Sequence, residues 1–125
     1  MYEVTIIKSF SAAHTIAEIG GKCEELHGHN FKVEATVTAQ ELNPAGLLID
    51  FRVVKKWLAE ILEDMDHKHL NSQPSFAGIN PSAENIAKYI SGKIQLKANL
   101  AQVHVVRVKV WESENAAVTY MPDGN

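Results

Sequence analysis

Phe31-Lys32-Val33-Glu34-Ala35-Thr36-Val37-Thr38-Ala39 alternates apolar and polar residues without a break. That is the period of a strand with one buried and one wet face. Upstream, Tyr2 to Ser11 reads as its partner, with Tyr2, Val4, Ile6 and Phe10 on one parity and Lys8 as a charged exception. Downstream, Asn43-Pro44-Ala45-Gly46 marks a turn, and Asp50 is placed to cap a helix. That helix runs from Phe51 to about Met65, because Phe51, Val54, Leu58, Ile61, Leu62 and Met65 form a stripe at helical spacing. Asn71 to Asn80 has loop composition. A second helix is expected to start at Asn80-Pro81, Asn as cap and Pro in the first turn, carrying Ala83, Ile86, Ala87, Ile90 and Ile94 inward. Val103 to Glu112 and Ala116 to Met121 read as the last strands. The order β-β-α-α-β-β predicts an α+β fold, an antiparallel sheet with two helices on one face. The polar side of the second strand is then left without a helix, which suggests that the sheets of several subunits lie side by side.

At 125 residues the chain is the size of one domain, and residues 1–125 are read as a single unit. With 46% hydrophobic and 22% charged residues, 7 Gly and 4 Pro, a disordered or repetitive chain is excluded. Twelve basic against fifteen acidic residues, and Arg52 and Arg107 as the two arginines, argue against nucleic acid as a partner. No apolar run is long enough to span a membrane, and the first residues lack a secretory pattern. One cysteine, Cys23, cannot form an intrachain disulfide, so a cytoplasmic location is expected.

Among six histidines, His27 and His29 in Leu26-His27-Gly28-His29-Asn30 share the parity of Phe31 and Val33. If the strand extends back to them, both imidazoles project onto the apolar face, with Cα atoms roughly 6.5–7 Å apart. His14, in Phe10-Ser11-Ala12-Ala13-His14, has the parity of Ile6 and Phe10 and joins them if the first strand runs on. Three neutral imidazoles suit Zn²⁺, and three protein ligands leave a position open for catalysis. The alternative is a structural zinc closed by Cys23, but the usual structural spacings do not occur. His104 reads as an ordinary surface or satisfied histidine.

Several reactive groups accompany these histidines. Cys23 lies four residues before His27, where a nearby cation would lower its pKa. Asp66-His67 follows the first helix, and the two can pair for proton transfer or merely decorate the helix end. Glu112 continues the face of Val106, Val108 and Val110, and a carboxylate there wants a cation or a pair of N–H donors. Glu84 complements a helix dipole, and Lys55, Lys56, Glu60 and Glu63 form a solvated face.

Taken in order, Phe10-x₃-His14, Cys23-x₃-His27-Gly28-His29, Asp66-His67, Asn80-Pro81-Ser82-x-Glu84-Asn85 and Trp111-Glu112 resemble the 6-pyruvoyltetrahydropterin synthase family. In length the chain is most similar to the bacterial 6-carboxytetrahydropterin synthases of queuosine biosynthesis. The resemblance implies a tunnelling fold whose sheets join into an oligomeric barrel, commonly a homohexamer of two trimers with sites at subunit interfaces. It implies zinc on His14, His27 and His29, Cys23 as the base, Asp66 and His67 as proton relay, and Glu112 as anchor of the pterin ring. The implied substrate is 7,8-dihydroneopterin triphosphate, converted in this branch to 6-carboxytetrahydropterin, acetaldehyde and triphosphate. Glu24, directly after Cys23, keeps other readings open. In a related subgroup linked to folate synthesis, a Glu in this stretch replaces the Cys and the product is 6-hydroxymethyl-7,8-dihydropterin. A 6-pyruvoyltetrahydropterin product, or a non-catalytic pterin-binding zinc protein, are the remaining alternatives.

Overall fold

The computed structural model describes residues 1–18, 21 and 25–123. Strands β1 (Tyr2–His14) and β2 (His27–Ala39) pair antiparallel over their full length, with Tyr2 opposite Ala39 and His14 opposite His27. Helix α1 (Phe51–Glu63) follows, then a two-residue strand β3 (Lys68–His69), helix α2 (Ala83–Leu100), β4 (His104–Ser113) and β5 (Ala116–Tyr120). The sheet order is β3-β1-β2-β4-β5. Both hairpins are antiparallel, as is the β2–β4 pairing, whereas β3 runs parallel to β1 at Ala12 and Ala13. The architecture is therefore the expected α+β arrangement, with β3 as an addition. Two residues carry no readable period, so that strand was not visible in the sequence.

The period-2 pattern of β2 is realised: Phe31, Val33, Ala35 and Val37 are fully buried. They meet Ile6, Phe10 and Ala12 of β1, with Phe10 and Phe31 stacked at 4.9 Å. Val54, Leu58, Ile61 and Leu62 of α1, and Ile86, Ala87, Ile90 and Ile94 of α2, close the same core. Phe51 departs from the expected stripe. It begins α1 and is largely exposed, because the helix meets the sheet only from its second turn onward. Tyr2 likewise shares the buried parity but lies exposed near the chain start. Glu60 on the solvated face of α1 joins Lys97 of α2 at 3.1 Å. Glu84 sits in the first turn of α2 as expected, and among the described residues no helix is long and apolar enough to cross a membrane.

Two irregularities in β4 matter for the site. Its pairing with β2 slips between Thr36 and Val37, so Arg107 faces Thr36 while Val105 faces Val37. Val106 is the extra residue. Consequently Val105, not Val106, is fully buried, and the uninterrupted parity of Val106, Val108 and Val110 expected from sequence is corrected to Val105, Val108 and Val110. Pairing with β5 slips a second time, between Trp111 opposite Ala117 and Ser113 opposite Ala116. The residue left over there is Glu112.

The start of α2 also differs from expectation. Ser82, not Asn80, is the N-cap, accepting the Asn85 N–H at 3.1 Å. Asn80 instead clamps the end of the first hairpin arm, accepting from the Ala17 N–H and donating to the Ala17 carbonyl, both at 3.0 Å. Asn85 Nδ2 donates to the Asn80 carbonyl at 2.8 Å, so Asn80-Pro81-Ser82-x-x-Asn85 links the segment after β1 to the helix. Ser82→Ala should cost about 1 kcal/mol of stability, the usual loss for an N-cap. Urea unfolding followed by circular dichroism would register it as a lower midpoint at unchanged slope.

Candidate metal and proton-transfer site

Pairing of β1 with β2 places His14 directly across from His27, and Ala12 across from His29. The three imidazoles therefore emerge on the core face at one end of the hairpin. Their ring centroids are 4.5 Å (His14–His27), 5.3 Å (His14–His29) and 4.8 Å (His27–His29) apart. Gly28 lies between them with its missing side chain 3.7 Å from the Ala12 carbonyl, so the strand runs through without a clash. His14 is completely buried; His27 and His29 are each about a quarter exposed, at 26%.

Hydrogen bonding decides which nitrogens are available. His14 Nδ1 lies 2.7 Å from the carbonyl of Pro81, and His27 Nδ1 lies 2.8 Å from that of Glu25. A carbonyl can only accept, so both Nδ1 atoms carry the proton and both Nε2 atoms present a lone pair inward. Glu112 reaches this point from β4. Its Oε1 is 3.2 Å from His14 Nε2, 3.9 Å from His27 Nε2 and 2.9 Å from His29 Nε2. One ligand atom from each of the four residues lies within 4.8 Å of the others.

Lone pairs facing a carboxylate oxygen need a cation among them. His29 Nε2 shows this most directly: it is buried and, close as it is to Glu112, finds no hydrogen bond of acceptable geometry. At His29 a proton is the poorer solution. Burial pushes the His29 pKa down, and the neighbouring His14 and His27 push it further, against the opposing pull of Glu112. Imidazole and carboxylate donors with no competing cation among them fit a divalent transition metal. The group can hold a metal ion.

Asp66 and His67 form a second polar group, with His67 Nδ1 3.0 Å from Asp66 Oδ1. Both are fastened to Ser11 of β1. Asp66 Oδ1 accepts the Ser11 N–H at 2.9 Å, and the His67 N–H donates to the Ser11 carbonyl at 2.5 Å. These bonds hold His67 at φ 58°, a left-handed conformation that a non-glycine residue adopts only under constraint. The Asp66 pKa is lowered, first by the Ser11 N–H and also by His67. The two therefore tie the residues after α1 to β1. His67 and His29 border one open cleft of about 520 Å³, together with Ser11, Gly28, Lys68 and His69.

The parity of the strands, then, brings His14, His27 and His29 together, and Glu112 joins them rather than standing apart. Cys23 and Glu24 lie outside the described residues. His104 is exposed and pairs with Asp123, as an ordinary surface histidine does. Sequence reasoning missed Pro81 and Ser11, which act through their backbones. The Asn-Pro-Ser motif was the available signal for the first, and nothing marked the second.

Fold and site together define an α+β protein carrying three histidines and a carboxylate disposed for a metal, and an Asp–His pair on a cleft that one of those histidines borders. Residues 3–123 match the 6-pyruvoyl tetrahydropterin synthase family, and the chain belongs to it. It is 35% identical over 127 residues to human 6-pyruvoyl tetrahydrobiopterin synthase, covering 90% of this chain and 86% of the human one. It is 36% identical over 112 residues to a putative 6-carboxy-5,6,7,8-tetrahydropterin synthase of Archaeoglobus fulgidus, covering 90% and 89% respectively. The structure of Caenorhabditis elegans 6-pyruvoyl tetrahydropterin synthase superposes with a TM-score of 0.81 at 27% identity, over 97% of this chain and 96% of that one. The five-stranded sheet with its two helices is thus the tunnelling fold of that family.

Because the Asp66 pKa is depressed in the fold, its bonds to Ser11 and His67 stabilise the protein above the unfolded carboxylate pKa. That contribution disappears as the pH falls through the lowered native value. Asp66→Asn should therefore show a weaker loss of stability than the parent between about pH 5 and 2, read from urea midpoints across that range.

Proposed function

We propose that this protein is a zinc-dependent 6-carboxy-5,6,7,8-tetrahydropterin synthase acting on 7,8-dihydroneopterin triphosphate. The observation that carries this reading is the convergence of three inward-facing imidazoles with an Asp–His pair that shares a cleft with one of them. Zinc is the metal to which three imidazoles with an open position are best suited. Bound there, it would supply Lewis acidity, making the C–H and O–H protons of the substrate side chain easier to remove.

The chain's own groups divide the remaining work. Pro81 and Glu25 hold His14 and His27 in the tautomer that keeps Nε2 free for the metal. Asp66 holds Nδ1 of His67, so Nε2 of His67 is the nitrogen that gives or takes a proton at the cleft. Cys23, four residues before His27 in sequence, is the base that takes the first proton. Glu112 anchors the pterin ring, its two carboxylate oxygens matching adjacent amino and ring N–H donors. Scattered Lys and Arg, some from neighbouring subunits, would hold the triphosphate. Proton removal on one carbon and return on another shifts oxidation state within the substrate, so no nicotinamide or flavin is needed. Triphosphate is eliminated during this shift, and a water molecule then adds to the carbonyl beside the ring as the carbon–carbon bond breaks, leaving the carboxylate and releasing acetaldehyde.

We place this single domain, residues 1–125, in the cytoplasm as a homohexamer of two trimers serving queuosine biosynthesis. The bare polar face of the sheet and the two edges, β5 and the first part of β1, support closure into a barrel between subunits. Glu24 after Cys23 favours one second reading, a side-chain cleavage that leaves 6-hydroxymethyl-7,8-dihydropterin.

Incubation of zinc-loaded protein with dihydroneopterin triphosphate under anaerobic conditions, followed by mass spectrometry, tests the proposal. 6-Carboxytetrahydropterin is the expected product. 6-Hydroxymethyldihydropterin would transfer the base role to Glu24, and no product at all would leave a pterin-binding zinc protein. Cys23→Ala should lower kcat by at least about 100-fold, in line with loss of a general base. Turnover at the parent rate in that variant would remove Cys23 from the mechanism.

A further inference from the structure

The cleft that His67 and His29 share is one-sided in its chemistry. Ala12, Ala13 and Gly28 contribute almost no side chain to it, while Lys68 and His69 border it beside His67. Among the described residues no carboxylate lines it. Asp66, the acid next to His67 in the chain, is turned onto the Ser11 N–H and the His67 ring. Lys68 makes no ion pair among the described residues. Asp64 borders a smaller pocket that Lys68 also lines, but the two do not pair. A space of about 520 Å³ with basic groups and no acid on its walls recognises an anion.

The parallel pairing of β3 with β1 puts the basic residues there, Lys68 opposite Ala12 and His69 opposite Ala13. Across the hairpin, the Ser11 hydroxyl donates to Asn30 Oδ1 at 2.5 Å. That oxygen is occupied, and the two N–H donors of the same amide have no partner among the described residues. Asn30 borders both this cleft and a second cavity of about 540 Å³ at Glu112. Glu112 Oε1 in turn lies 2.9 Å from His29 Nε2, and His29 opens onto the cleft. A path therefore runs from the β4 carboxylate through the histidine group to a lysine.

The substrate assigned above has its parts in the same order: a planar ring, a hydroxylated side chain and a triphosphate. A ring at Glu112 with its side-chain hydroxyls at the histidines sends the triphosphate toward the cleft. We propose that the cleft beside β3 is the triphosphate subsite, with Lys68 as the residue that selects the polyanion and with His69 and Asn30 as further hydrogen-bond donors to it. This rests on the pterin reading above and narrows it, because the lysine comes from the same subunit as the histidines. Lys68 acts on specificity: its charge distinguishes a substrate that carries phosphates from one that ends in a bare hydroxyl.

The probe is inorganic tripolyphosphate, titrated calorimetrically into the full-length protein stripped of metal, so that no bound ion can take the anion in place of the lysine. Binding is expected at low salt and should weaken as salt rises. Lys68→Met, which keeps the length of the side chain and removes its charge, should weaken it about tenfold or more. Lys56→Met, on the exposed face of α1, should leave it unchanged. No binding by the parent, or undiminished binding by Lys68→Met, overturns the proposal. So does an equal loss in Lys56→Met, which would mean a general attraction of polyanions to surface lysines. Histidine ring resonances of the parent give a second reading that needs no variant. Tripolyphosphate should shift those of His67 and His69 and leave that of His104, at the other end of β4, in place. Unmoved His67 and His69 resonances count against the subsite even if Lys68→Met fails to fold. Turnover is scored apart, on zinc-loaded protein. Lys68→Met should raise the KM for dihydroneopterin triphosphate about tenfold or more, with a much smaller change in kcat. An unchanged KM in a parent enzyme that turns over rejects the subsite and keeps the reaction. Lys68-dependent tripolyphosphate binding without any turnover keeps an anion subsite and rejects the assigned reaction.

Discussion

Everything at the site depends on the register of β1 against β2. With His14 opposite His27 and Phe10 opposite Phe31, three imidazoles fall on the face that the helices cover. Side chains alternate along a strand, so a slip of one residue would send one arm's histidines to the polar face and its core residues with them. The hydrophobic pattern that buries Phe31, Val33, Ala35 and Val37 therefore also fixes where the metal-ligating group forms. Stability and site geometry rest on the same pairing. A conservative change at Val33, Ala35 or Val37 would act on the metal group through that register, whereas Phe31 meets the imidazoles of His14 and His29 directly, at 5.5 Å between ring centroids in each pair.

Around this register the protein uses backbone groups to orient polar side chains. The carbonyl of Pro81 fixes one imidazole, that of Glu25 another, and both backbone groups of Ser11 hold the Asp66–His67 pair. Each anchor lies on a different segment, so the site is assembled where the end of the first hairpin meets the residues before and after the helices. Asn80 strengthens the junction by bonding both backbone groups of Ala17. Carbonyl acceptors impose a tautomer without adding charge, which suits imidazoles that must stay neutral to bind a cation.

The polar side of the sheet has its own organisation. Trp111 lies between Lys32 and Lys109, at 4.7 and 4.5 Å from its ring, and bonds Glu34. Thr5 and Thr36 share a hydrogen bond across the strands at 2.8 Å, and Arg107 reaches Glu3. Such cross-strand pairs keep an uncovered face ordered. They also give it a mixed charge in place of a generally sticky apolar plane.

Sequence alone determined the elements whose period is long enough to read: β2 from its alternation, both helices from their stripes, and the common face of His14, His27 and His29 from parity. These are local properties, dictated by geometry repeating every two or 3.6 residues. Tertiary structure alone decided the rest. The two-residue β3 has no period, and Ser82 prevailed over Asn80 as cap because Asn80 is engaged by a distant segment. Val105 replaced Val106 in the core because a slip in pairing reverses parity, and pairing partners are not written locally. Glu112 was legible as a carboxylate that wanted a partner. That its partners are three imidazoles was settled by the pairing of β4 with β2, Trp111 opposite Lys32, which carries it to the end of the hairpin where those imidazoles converge.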